Sequence, residues 1–381
     1  MMLCEVLIFV LAFFLWGCEP SETSQGSFQT AQSLRGSASG WLQAKPGYKW
    51  QFPKDHYQHP GFRTEWWYLT GHLRERGESQ RYRFSYQVTF FKVELVANPE
   101  TLDSDFSSNT VVMAHFAITD SVKGVHQFSE SLYRMHPSLA GFGTPPEKRL
   151  VWVKAPPGNP GFWSLDLAGE GFAVKANDSN KSIAAELLVM PQKPLVFQGP
   201  EGYSQKSPSP NKGSLYYSFT RLKTAGTIKV DGVAYEVHGQ SWLDKEIGSN
   251  ILGENQLGWD WFSLQLSDGR ELMLFSLRDV GGGESFVRGT IIAPNGQVSY
   301  SQGVDWEVEP VSFWQSSSGG TYPVSWQLKG PIGRYRVLAR LKQQENISKR
   351  VMGLKYWEGA VDVFDHADNR VGVGFLEMTG R

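Results

Sequence analysis

Trp242, Asp244 and Glu246 fall at alternate positions of one run, so on a β-strand all three side chains leave the backbone on the same side. A carboxyl taken out of water beside an indole holds its proton more firmly, which suits it to donate that proton near neutral pH. The same two carboxylates can instead join a structural charge network with Arg221 or Arg63 at a barrel end. His115 shares a face with Met113 and Ala117, so it points inward, either as a satisfied core histidine or as a ligand contact. His59, Glu65 and His238 lack the close spacing of a zinc site, and we expect no metal and no cofactor. The chain has no phosphate-binding Gly-rich loop and no nucleophile elbow, and Gly281 to Gly283 reads as a turn.

The elements that must position these residues are strands. Aromatic residues make up 13% of the 381 residues, with 14 Trp, and Gly reaches 40, which favours short strands and tight turns. The runs Arg81 to Phe90, Gly226 to Val230 and Glu271 to Phe275 alternate apolar with polar residues. Turn signals Val230-Asp-Gly232, Ser267-Asp-Gly269 and Pro294-Asn-Gly296 separate such runs at hairpin spacing. A short helical piece is expected near Ser129 to His136. Thr64 to Gly71 and Gly258 to Gln265 can be laid together so that Trp67 meets Trp261 and Tyr68 meets Phe262. That internal repeat implies two similar all-β units with a seam near Gly248 to Gly258.

Lys plus Arg number 37 and Asp plus Glu 38, giving a net charge of -1, which offers no field to attract nucleic acid. The two cysteines, Cys4 and Cys18, both precede the folded body, so that body forms no disulfide, thiolate metal site or cysteine nucleophile. Val6 to Trp16 is an apolar run ending in Leu15-Trp16-Gly17-Cys18, the layout of a bacterial lipobox, although Met1 to Glu5 lacks the usual positive charge. The expected organisation is a lipoprotein-type signal peptide over residues 1–17, with Cys18 lipidated, and a flexible tether over 18–47. Two barrels follow, over residues 48–248 and 249–381. The chain is then expected in the cell envelope, held to a membrane through lipid and facing the periplasm if the cell is Gram-negative.

Several stretches together resemble one family. His59 to Gly71, Ala114 to Asp120, Gln198 to Ser204, Tyr216 to Ser218 with Arg221, Gly239 to Glu246, Gly258 to Phe262 and Tyr356 to Gly359 are similar, in this order, to signatures of the AttH-like and carotenoid 1,2-hydratase-like proteins. The resemblance implies two consecutive lipocalin-like antiparallel β-barrels. In such barrels a first-strand Trp closes one end as core, the role expected of Trp67 and Trp261.

For activity, the resemblance implies acid-promoted addition of water to an isoprenoid double bond. It puts Asp244 as the acid, with Trp242 and Tyr217 beside it, and Glu65, Trp66, His115, Tyr216, Glu246 and Trp259 around the ligand. The family's hydratases carry Tyr where this chain has Trp242, and their His and Trp of the preceding strand are replaced near Leu215 to Tyr217. These departures favour the binding of a hydrophobic small molecule, such as a lipid, isoprenoid or polyene, over its hydration by a hydro-lyase. Relatives encoded beside lipoprotein-export-type transporters make an ABC transporter a third expected partner, alongside the membrane.

Overall fold

The computed structural model describes residues 39–78, 81–97, 107–209, 211–252, 255–280 and 285–381. Cys18, the apolar leader and the Gly281 to Gly283 turn lie outside these residues. The described chain is almost all strand, in two large antiparallel sheets of 13 and 10 strands. The first forms a nearly closed barrel, its edge strand Val125–Arg134 approaching Arg149–Lys154, next to the other edge, where Ser131 Oγ donates to the Lys154 carbonyl at 2.5 Å. The second is a half-barrel.

Local chemistry accounts for the longest hairpin. Asp231 and Gly232 take φ of 51° and 81°, a two-residue turn joining the strands Gly213–Val230 and Val233–Gly248. Such a turn needs positive φ at both positions, which the Asp-Gly pair supplies, and its twist matches that of the strands it joins. The segment near Ser129 to His136, expected to be helical, instead falls mostly in the strand Val125–Arg134, paired residue for residue with Val111 to Asp120. Cross-strand pairing there outweighs the local sequence pattern.

Alternation sends every second residue of the first sheet into the barrel. Trp67, Leu69, Phe84, Tyr86, Phe116, Trp163, Phe172 and Val189 fill that interior. Trp67 closes it as expected, stacked on Phe142 with centroids 5.7 Å apart and donating from Nε1 to the His56 carbonyl at 2.8 Å. The second sheet packs Phe262, Leu264, Tyr322, Trp326 and Trp357 into its own core. Trp261 does not close this core. Its neighbour Phe262 does, edge-on to Trp326 at 5.3 Å, and Trp261 faces the first sheet. The two repeats therefore match with their faces offset by one residue, and a one-residue offset in a strand exchanges inside for outside.

The expected tether also ends early. Leu42 exchanges hydrogen bonds with the body, its N–H reaching the Gly61 carbonyl at 2.9 Å and its carbonyl accepting from Ser249 Oγ at 2.6 Å. Ala44 is buried beside Phe62, Tyr203, Leu215 and Ile247.

Candidate functional site

Both sheet interiors are filled by side chains, and the cavity lies between the sheets. Direct partners in an antiparallel sheet point to the same face. Across five strands of the first sheet, His115, Thr89, Tyr68, Asp244 and Ser218 are successive partners and form one row. The next row is Met113, Phe91, Trp66, Glu246 and Tyr216. From the second sheet, the row Glu358, Glu377, Trp261 and Phe275 comes down onto them.

The space between them is about 120 Å³ and mostly apolar, walled by Trp66, Phe91, Met113, Trp259, Trp261 and Phe275. An apolar cavity of about 150 Å³ stays dry and accepts a benzene ring. The space here is of that order, enough for one small apolar group of a longer molecule.

Asp244 lines this cavity. Its Oδ1 accepts from Trp242 Nε1 at 2.7 Å and from Ser218 Oγ. Burial raises its proton affinity more than these donors lower it, and the carboxyl titrates at about 7. Opposite stands a pair of carboxyls directly across from each other on adjacent strands, Glu358 and Glu377. Burial pushes Glu377 up to about 8, with further upward pressure from Glu246 and Asp244. Glu358 is raised well above the carboxylate range, first by burial and then by Glu377, while Tyr68 donates to its Oε1 at 2.5 Å. Its Oε2 has no partner among the described residues. Two protonatable acids, Asp244 and Glu377, thus line an apolar space with Glu358 behind Glu377, a pattern more common at sites of proton transfer than elsewhere.

The remaining expected site residues divide by face. Trp66, His115, Tyr216, Glu246 and Trp259 all line the cavity. Glu246 is paired with Lys206 Nζ at 3.0 Å, and that ammonium also lies 4.3 Å from the Phe275 ring centre. Trp242 packs edge-on against Trp261 and reaches the site through its bond to Asp244. Tyr217, expected beside Asp244, is not there. It points into the first barrel and its hydroxyl meets His56 Nδ1 at 2.7 Å, because adjacent strand residues face opposite ways and Tyr216 takes the cavity side.

Glu65 touches the cavity but is already engaged. It takes Lys245 at 2.5 Å, Lys92 at 3.1 Å, and both the backbone N–H and the ring of His59. The two ammonium groups hold its carboxyl far below the usual range against the effect of burial. His238 sits elsewhere, opposite Arg74. Among the described residues, no group of three or more His, Cys, Asp or Glu is arranged to hold a metal ion.

The charge network expected to join Asp244 and Glu246 to Arg221 or Arg63 does not form. Arg221 instead pairs across the sheets with Glu271 at 2.5 Å, where Lys193 joins at 2.7 Å. Tyr68, Lys206, Tyr356, Glu358 and Glu377 were not picked out as site residues from the sequence. The available signal was Tyr356-Trp-Glu-Gly359, whose alternate residues Tyr356 and Glu358 share a face.

Similar proteins share this architecture. A protein assigned as AttH from Nitrosomonas europaea is 27% identical, with a TM-score of 0.77 over 89% of this chain and 99% of its own. Kievitone hydratase from Nectria haematococca is 15% identical, with a TM-score of 0.62 over 89% and 95% of the two chains, a likeness of fold. CghA likewise shares the fold, at 12% identity and a TM-score of 0.53 over 89% and 97%. No curated protein matches the sequence. The AttH-like family model matches residues 43–381, both sheets and the seam between them, and the chain belongs to the AttH-like family.

Proposed function

We propose that the protein binds an apolar, alkene-bearing molecule between its two sheets and adds water across a double bond, with Asp244 as the acid. The observation that carries this reading is a buried carboxyl on the wall of a mostly apolar, Trp-lined cavity, where burial raises its proton affinity to about 7. In the proposed step the alkene π pair takes the Asp244 proton and forms a C–H bond, leaving a tertiary cation on the neighbouring carbon. The faces of Trp66, Trp259 and Trp261 stabilise that cation. Water then supplies its lone pair to form the C–O bond, and its surplus proton returns to the carboxylate. A structural neighbour being a hydratase supports the same class of chemistry.

A binding role without turnover is the second reading. Trp242 favours it, because the indole N–H occupies Asp244 Oδ1 where the resembling hydratases carry a phenol.

Incubation with acyclic isoprenoids, with and without an oxygen function, in deuterated water separates the two. Hydration gives a tertiary alcohol carrying one new C–D bond from wild type and none from Asp244→Asn. The same yield from both proteins removes Asp244 from the acid role, and ligand binding without product from wild type leaves the binding reading. We also propose, from the lipobox pattern alone, that the protein is exported and anchored through lipid on Cys18.

A further inference from the structure

His115 is buried, stands on the cavity wall and, among the described residues, has no hydrogen-bond partner at Nε2. Its other ring nitrogen, Nδ1, lies 2.7 Å from the Tyr356 hydroxyl, which comes from the second sheet. Which nitrogen carries the proton follows from what surrounds that hydroxyl. Gln87 Nε2 donates to it at 3.1 Å, and the Asn346 amide in turn holds Gln87. These two amides are themselves oriented, since Gln87 Oε1 accepts from Asn346 Nδ2 at 3.0 Å and Asn346 Oδ1 lies 2.9 Å from His126 Nε2. With the Gln87 N–H on its oxygen, the Tyr356 hydroxyl has His115 Nδ1 as its one acceptor among the described residues, and its proton goes there. The neutral imidazole then carries its hydrogen on Nε2, facing an apolar space with nothing to receive it.

A buried donor left unpaired costs about 1–3 kcal/mol, and such groups in folded proteins are almost always satisfied. We infer that the ligand of this cavity carries a hydrogen-bond-accepting oxygen, a carbonyl, hydroxyl or ether, which the His115 Nε2–H receives. The inference rests on the proposed reading of the cavity as a ligand site and narrows its substrate class from hydrocarbons to oxygenated, alkene-bearing molecules of isoprenoid type. Asp244 stands three strands from His115 on the same row, which at ~4.8 Å per strand is roughly 14 Å along the sheet. The acceptor oxygen and the reacting double bond therefore belong to different parts of the ligand.

The test uses the isoprenoid ketone geranylacetone and its hydrocarbon counterpart with CH₂ in place of C=O, titrated against the fluorescence of the cavity tryptophans. Wild type is expected to bind the ketone roughly tenfold more tightly. His115→Phe should bring the ketone to the hydrocarbon's affinity while leaving the hydrocarbon unchanged, and His115→Asn, which restores an N–H, should recover part of the preference. Equal affinities in wild type overturn the inference without touching the cavity reading, and need no variant that folds. Equal loss of both probes in His115→Phe also overturns it. If neither probe binds wild type, the cavity reading itself fails and the inference with it. Preferential binding of the ketone without deuterium labelling keeps the inference and removes the acid chemistry.

Discussion

Tyr68 of the first sheet donates its phenolic hydrogen to Glu358 of the second at 2.5 Å, with both side chains buried. This bond ties the two sheets at the centre of the seam, beside Asp244 and Trp261. Removing the donor leaves a buried acid with neither oxygen partnered among the described residues, since Glu358 Oε2 already lacks one there. Tyr68→Phe should therefore lower the unfolding free energy by about 1–3 kcal/mol, read as a shift of the denaturant midpoint at constant slope.

The seam acids give stability a specific pH dependence. Glu377 titrates at about 8 in the folded protein against an ordinary value of 4.5, so between these pH values the folded state holds the extra proton. Stability from this group is greatest below 4.5 and is lost as pH rises to about 8, by up to about 1.4 kcal/mol per pH unit. Asp244 acts in the same direction between 3.8 and about 7. Buried His115 and His126, lowered to about 3 and about 4, act oppositely, adding stability as pH rises to 6.5. Above pH 6.5 these histidine contributions are complete. Equilibrium unfolding should show stability falling between pH 6.5 and 8, and Glu377→Gln should flatten that fall.

Glu65 is the common counter-charge of Lys92 and Lys245, and all three side chains are buried. Glu65→Gln keeps the shape and removes the charge, leaving two buried ammonium groups short of compensation. We expect a loss of about 3–5 kcal/mol, measured by chemical denaturation, even though the substitution is nearly isosteric. Lys245 already titrates down at about 8 through burial, and it should fall further in the variant, an effect that NMR titration of its ammonium can follow.

Lipidation at Cys18 needs a thiol. On the proposed lipid anchoring, Cys18→Ser should abolish incorporation of labelled palmitate and release the protein from membranes, since the anchor would act by burying acyl chains at ~0.8 kcal/mol per CH₂. Equal membrane retention of wild type and variant would show that the leader itself is the anchor.

What the sequence determined by itself is whatever depends on period-two geometry and turn chemistry. Alternation marked the strands, Asp231-Gly232 marked the hairpin turn, and the i, i+2 spacing set Trp242, Asp244 and Glu246 on one face, as it did Met113 and His115. These are local consequences of a pleated backbone and hold wherever the strand is placed. Tertiary structure decided which face of each strand meets the other sheet. For Tyr216 against Tyr217, and Trp261 against Phe262, both neighbours are large and aromatic, so composition does not distinguish inside from outside, and a shift of one position exchanges them. The meeting of Asp244 with Glu358 and Glu377, more than 110 residues later in the chain, and of His115 with Tyr356, follows only when two sheets dock. No local pattern records that docking, because the carboxyls' proton affinity and the histidine's tautomer are set by neighbours and by exclusion of water that exist only across the seam.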